Sequence, residues 1–163
     1  MKYMEGLIIR EANLSDESEI LSIRNHPDIF KWFFDNSTID AAKHKEWFTS
    51  RLLYFKFLTL VAELNGEVIG TAVLNHPEFI SPSISISVKP GLTQRGVGSK
   101  LLHELVVRSR LNNIRSLTAE VLKSNSASYQ FFTKNGFKVN EIEPRMIGTK
   151  KSEIFIMKLT LIY

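Results

Sequence analysis

The stretch from Ser83 to Val106 constrains the chain most, because the period of its apolar residues changes within a few positions. Ile84, Ile86 and Val88 alternate with Ser83, Ser85 and Ser87, the period of two that a half-buried strand requires. Pro90-Gly91 ends that run. Val97, Leu101, Leu102, Leu105 and Val106 then recur at helical spacing and define one apolar face. Thr93-Gln94-Arg95-Gly96-Val97-Gly98-Ser99 lies at the junction. Gly96 and Gly98 let a ligand approach the backbone closely, and the first N–H groups of the helix have no intrahelical acceptor. With the positive helix end and Arg95, this is a ready place for a pyrophosphate. It is not a P-loop, since no Gly-Lys-Ser/Thr follows the required spacing. It is not the dinucleotide fingerprint either, because Leu101 stands where a third glycine is needed. An ordinary strand-to-helix turn, with glycines for steric reasons, fits the same residues.

The remaining pattern supplies a fold around this junction. Gly6 to Ala12 reads as a first strand, and Ser15 as the N-cap of a helix that ends near Asn25, before Pro27. His26 to Ser37 reads as a linker whose Ile29, Phe30, Trp32, Phe33 and Phe34 must pack on something. They either plug the core or wall a pocket. Asp40 caps a second helix from Ala41 to about Leu53. Phe55 to Leu64 and Glu67 to Leu74 form a hairpin about Asn65-Gly66. After the fourth strand and its helix come a fifth strand, Leu117 to Leu122, and a short helix from Asn125 to Lys134. Gly136 takes the C-terminal position of that helix. Phe137 to Ile142 and Glu153 to Leu161 are the last strands, joined around Gly148. The strand-helix alternation in the middle calls for a crossover and parallel neighbours in part of the sheet.

A chain of 163 residues suits a single domain spanning 1–163. No run approaches the roughly eighteen apolar residues of a membrane helix, and the N-terminus has no signal-like apolar core, so no membrane partner is expected. The absence of cysteine excludes disulfides and thiolate chemistry and agrees with a cytoplasmic location. The net charge of +4 favours anionic ligands, but the basic residues are too scattered to indicate nucleic acid. His26, His44, His76 and His103 form no metal motif, so no metal is expected. His76 follows the third strand and could edge a pocket.

The glycine turn and the Asn125 helix together resemble the GNAT family of N-acetyltransferases over nearly the whole chain. The family's acetyl-CoA loop, [RQ]-x-x-G-x-[GA], is matched here by Thr93 to Gly98 with both glycines present and Thr93 at the first position. Its second mark, an Asn opening a helix that ends in Gly-Phe, is matched by Asn125, Lys134, Gly136 and Phe137. The resemblance implies a GNAT fold of the α/β (α+β) class: a mixed, mostly antiparallel sheet of about seven strands, splayed between strands four and five, with about four helices. It implies acetyl-CoA as donor, held by Ile86 and Val88 on the fourth strand, by Thr93, Gln94, Arg95, Gly96, Val97, Gly98 and Ser99, and by Asn125 and Phe132. Glu120 matches the glutamate base of the ribosomal-protein N-terminal acetyltransferases, whereas Ser83 stands where many other members carry a glutamate. Phe132 occupies the place of the tyrosine that usually protonates the leaving thiolate, and Tyr129, three residues earlier, is the remaining candidate acid.

Arg24-Asn25-His26-Pro27-Asp28-Ile29, followed by His44 and Trp47-Phe48, resembles the branch that acetylates amino sugars on nucleotide carriers, as in pseudaminic-acid biosynthesis. That resemblance implies Arg24, His26 and His44 near a phosphate and aromatics such as Trp32 against a sugar or base. A helix-closing Arg24 and a packed His44 fit the same residues. The expected activity is acetyl transfer to a primary amine of a small molecule. The rivals are a protein N-terminal amine as acceptor and a non-catalytic acyl-CoA-binding module. The exposed edges of the last two strands would permit a homodimer.

Overall fold

A computed structural model describes residues 4–55, 58–75, 78 and 80–161. The strands are β1 (Leu7–Glu11), β2 (Thr59–Leu64), β3 (Glu67–Asn75), β4 (Ser83–Val88), β5 (Ser116–Leu122), β6 (Lys138–Ile147) and β7 (Lys150–Thr160). They form one sheet in the order β1-β2-β3-β4-β5-β7-β6. Every pairing is antiparallel except β4 with β5. The helices are α1 (Glu17–Arg24), α2 (Pro27–Phe30), α3 (Ala41–Phe55), α4 (Val97–Leu111) and α5 (Ser126–Lys134). This is the mixed, mostly antiparallel architecture expected, with one helix more. The extra element is α2, which Pro27 opens where a missing N–H costs nothing.

Alternation along the strands divides the packing between two faces. Leu60, Ala62, Ile84, Ala119 and Val121 join Leu101, Leu102, Leu105 of α4 and Phe132 of α5 in the larger core. Val61 and Val68 face the other way and pack with Ile20 and Ile23 of α1 and Phe48 of α3. The serines of β4 belong to this second face: Ser85 and Ser87 border a cavity together with Arg24, His44 and Trp47.

Several boundaries differ from the sequence reading, each for a local reason. Asn13, not Ser15, is the cap before α1: its side chain accepts from Ser15 N, while the Asp16 carboxylate accepts from Asn13 N at 2.8 Å. A single 3-10 turn, Leu14–Asp16, therefore precedes α1. Phe55 ends α3 instead of beginning β2. The hairpin β6–β7 runs nearly to Gly148, past the expected bounds Ile142 and Glu153, and takes in Pro144. β6 is an edge strand, where a residue without an N–H does not break the ladder on both sides. His76 lies outside the described residues.

Candidate functional site

β4 and β5 meet at one register pair, Ser83 with Thr118, supported by a Thr118 N to Pro82 O hydrogen bond of 2.9 Å. Beyond it the parallel strands separate toward their C-terminal ends. Those are the ends from which the turn before α4 and the Asn125 cap of α5 depart. A cleft of 380 Å3 opens there, bordered by Ser83, Ser85 and Ile86 of β4, Glu120 and Val121 of β5, and Asn125 and Phe132. The separation leaves the β5-facing edge of β4 without a strand partner beyond Ser83, so its peptide groups face the cleft.

The turn feeding α4 is tightly coiled. Gly91, Gln94 and Gly96 all have positive φ, at 84°, 64° and 86°. Gly96 is the N-cap of α4 and makes no side-chain capping bond, which leaves the first-turn N–H groups to a ligand. A Cβ on Gly98 would come within 3.2 Å of the Phe131 ring, so glycine lets α4 start close against α5. Thr93, Gln94 and Arg95 are exposed, Ser99 is half-buried, and Val88 packs against the larger core. The Val97 side chain is sealed in that core at 1% exposure, so only its backbone is available to a ligand.

The segment after α1 is an aromatic wall: Trp32, Phe33 and Phe34 all border the cleft. Cations hold it from both sides. The Arg24 guanidinium lies 3.8 Å from the Phe33 ring centroid, and that of Arg145 lies 4.7 Å from Phe34. Phe33, Asn75 and Ser85 also border a second, mostly apolar cavity of 480 Å3 under α1 and α3. Arg24, Lys43 and His44 line it. Nη1 of Arg24 is buried with no hydrogen-bond partner, and burial pushes this guanidinium below its ordinary pKa, against the opposing charge of Asp35. His44 is 3% exposed, stacked on Phe48, with Nδ1 2.6 Å from Glu17 Oε1.

Not every expected residue reaches these cavities. His26 caps α2, its Nδ1 accepting from Asp28 N at 3.2 Å, and borders neither. Tyr129 does not border the cleft; its ring packs 5.2 Å from that of Phe155 on β7. Tyr129 and Phe132, three positions apart, lie only about 60° apart around α5, but the Tyr129 ring packs toward β7. Glu120 does border the cleft, and its Oε2 accepts from Arg145 Nη1 at 2.6 Å. That pairing raises the Arg145 pKa above its ordinary value. Sequence reasoning missed Arg145, Asn75 and Glu17. Arg145 lies 25 residues from Glu120 and carries no motif, so only the pairing of β7 with both β5 and β6 reveals it. Among the described residues no group of three His, Cys, Asp or Glu could hold a metal ion, and no helix is long and apolar enough to cross a membrane.

Comparison with known proteins agrees with this geometry. The chain is 30% identical to the L-amino acid N-acyltransferase MnaT of Escherichia coli over 87% of its length and 85% of that protein. It is 27% identical to the L-methionine sulfoximine/L-methionine sulfone acetyltransferase of Pseudomonas aeruginosa, covering 87% and 86% of the two chains. The structure of yncA from Salmonella typhimurium, solved with its cofactor acetyl-CoA, superposes with a TM-score of 0.84 at 26% identity, over 96% and 95% of the two chains. The family description Acetyltransferase (GNAT) matches residues 20–137, so the chain belongs to the GNAT acetyltransferase family.

Proposed function

We propose that this protein transfers the acetyl group of acetyl-CoA to the primary amine of a small molecule that also carries an anionic group. The observation that carries the reading is the cleft between β5 and β4, whose C-terminal end leads into the uncapped start of α4, with Glu120 in the cleft wall. Acetyl-CoA supplies the acetyl group as an activated thioester. The turn fits its pyrophosphate, because Gly96 leaves the helix N–H groups without a side-chain cap. Backbone of Gln94, Arg95, Val97, Gly98 and Ser99 and the side chain of Thr93 surround that position. Ile86 and Val88 present the β4 edge to the pantetheine arm, and a β4 N–H is placed to donate to the acetyl oxygen as charge develops on it. Asn125 and Phe132 form the far wall.

Glu120 is the base: it takes the proton of the acceptor ammonium, so that the nitrogen lone pair can form the new bond to carbon. The carbon–sulfur bond then breaks, and the second proton, shed by the nitrogen as it becomes an amide, reaches the thiolate through water. A thiolate with a pKa of about 8.5 leaves without an acid at the Phe132 position. Tyr129, turned toward Phe155, is left out of the proton path.

The acceptor extends from the cleft into the second cavity. Arg24, whose buried Nη1 lacks a partner, takes its anionic group, helped by Lys43 and His44. Trp32 and Phe33 cover its body. An amino sugar on a nucleotide carrier meets this description, and so does a free amino acid, the substrate class in the names of the two relatives. The aromatic wall favours a small acceptor over a polypeptide. A cytoplasmic location accords with this reading. Two copies could pair along β6, whose Val139, Ile142 and Met146 are exposed, and sedimentation would reveal it.

Thermal unfolding with and without acetyl-CoA tests the donor. Ligand at about a hundred times its Kd should add roughly 2.7 kcal/mol, a rise of several degrees. No rise at millimolar acetyl-CoA would end the proposal. A panel of nucleotide amino sugars and amino acids, followed by thiol release, then identifies the acceptor. Glu120→Gln should lower kcat by roughly two orders of magnitude and leave the thermal shift unchanged. Stabilisation by acetyl-CoA without thiol release from any amine would favour the acyl-CoA-binding module, which the phenyl ring of Phe132 also suits.

A further inference from the structure

Arg145 stands between two carboxylates. Nη1 donates to Glu120 Oε2 at 2.6 Å, and Nη2 donates to Glu143 Oε2 at 3.2 Å. Its guanidinium also lies over Phe34. Glu120 and Phe34 border the cleft, whereas Arg145 belongs to the edge strand β6, two strands from Glu120. The side chain therefore reaches over the sheet to the point where an acceptor amine must be deprotonated. Glu120 and Arg145 are each about a third exposed, at 34% and 33%. A pair that open to solvent is weakly held and readily exchanged.

We propose that Arg145 is a specificity-determining residue: its guanidinium holds the acceptor ammonium's seat on Glu120, and the arriving ammonium displaces it onto Glu143. The inference rests on the proposed function, in which Glu120 takes the acceptor's proton. Two features of the structure favour exchange over a permanent strap. Glu143 already engages the second nitrogen, so the displaced guanidinium keeps a counter-charge. Phe34 offers a face on which a guanidinium can slide while remaining in contact. An alkylammonium replaces one cation by another on the same carboxylate. An alcohol or an arylamine, uncharged at neutral pH, has no charge to exchange and leaves Arg145 in place. The favoured acceptors are therefore amines that are protonated at working pH, and the discrimination comes from an internal competitor. After exchange one ammonium proton passes to Glu120, the nitrogen bonds to the acetyl carbon, the sulfur leaves with the electron pair of the broken bond, and the second nitrogen proton reaches the thiolate through water.

The test uses the full chain with acetyl-CoA and two carboxylate-bearing probe amines of similar shape, 3-aminocyclohexanecarboxylate (the cyclohexylamine), whose nitrogen is charged at neutral pH, and 3-aminobenzoate (the aniline), whose nitrogen is not. Thiol release is followed for wild type, Arg145→Met and Glu143→Gln. Arg145→Met should lower the KM for the cyclohexylamine about tenfold and bring turnover of the aniline into range. Glu143→Gln removes the alternative seat and should raise the KM for the cyclohexylamine several-fold. Neighbouring changes with opposite effects on KM are not produced by a merely structural role. If Arg145→Met fails to fold, the Glu143→Gln arm decides alone. A KM that moves in the same direction in both variants, or in neither, overturns the inference. So does a wild-type protein that acetyl-CoA stabilises but that releases no thiol with the cyclohexylamine, a result that leaves the transferase reading standing. Loss of the acetyl-CoA thermal shift itself would instead sink the transferase reading and this inference with it.

Discussion

Arg24 is where stability and the proposed recognition of the acceptor conflict most plainly. Among the described residues its guanidinium is desolvated, rests on Phe33, and makes a long hydrogen bond of 3.4 Å to the Asp35 carbonyl, while Nη1 is buried without a partner. An unmet donor in a protein interior costs on the order of 1–3 kcal/mol, and more when it is charged. Arg24→Met keeps the packing on Phe33 and removes the unmet donor. It should leave the protein as stable or up to about 1 kcal/mol more stable in urea unfolding. The same change should raise the acceptor KM at least tenfold for substrates with an anionic group. A stability loss with unchanged KM would show that Arg24 only closes α1. The sequence singled out Arg24 by its motif, but the unmet nitrogen is visible only once α1, Phe33 and β3 are assembled around it.

At the scale of elements, the approach to α1 has a titratable clamp. Asp16 is 3% exposed and its carboxylate accepts from Arg10 at 2.7 and 2.8 Å and from Asn13 N. Burial raises its pKa, but the Arg10 and Asn13 hydrogen bonds outweigh that, so the net shift is downward. The unfolded carboxylate titrates near 3.9. A folded value below this means that the contribution to stability is present above about pH 4 and is lost as pH falls through the folded value. Asp16→Asn should cost about 2 kcal/mol at neutral pH, and urea titrations should show the gap from wild type closing below about pH 4. A gap constant down to pH 3 would contradict the assignment. Among the elements, those with a period and a stop signal were legible: β4 and α5 fall within a residue or so of their expected bounds, and α4 begins at Val97, the first residue of its expected apolar face. The boundaries that moved lack such a signal. α2 is a single turn, and the outer part of β6–β7 is held by ladder pairing that alternation does not reveal.

For the molecule as a whole, the proposed function depends on a sheet that is incomplete at one seam. Acetyl-CoA bound along β4 would supply the partner that β5 does not. Hydrogen exchange should slow for amides 84–88 and for the start of α4 when acetyl-CoA is added, while β1 and β2 remain unchanged. Uniform protection across the sheet would indicate general stabilisation, and no protection at β4 would displace the donor from the cleft. Local order along the chain settled much of this protein. The alternating serines and isoleucines made β4 a two-faced strand, the glycines made the turn before α4 open to an anion, and Asn125 capped α5. These outcomes follow from contacts within a few residues, where periodicity, φ preferences and capping act directly. Tertiary structure alone decided what fills the site. Tyr129 faces Phe155 because of the direction in which α5 packs, His26 is used as a cap, and Glu120 receives Arg145 from two strands away. Those partners are distant in sequence and are brought together only by strand order and helix orientation, which no local pattern encodes.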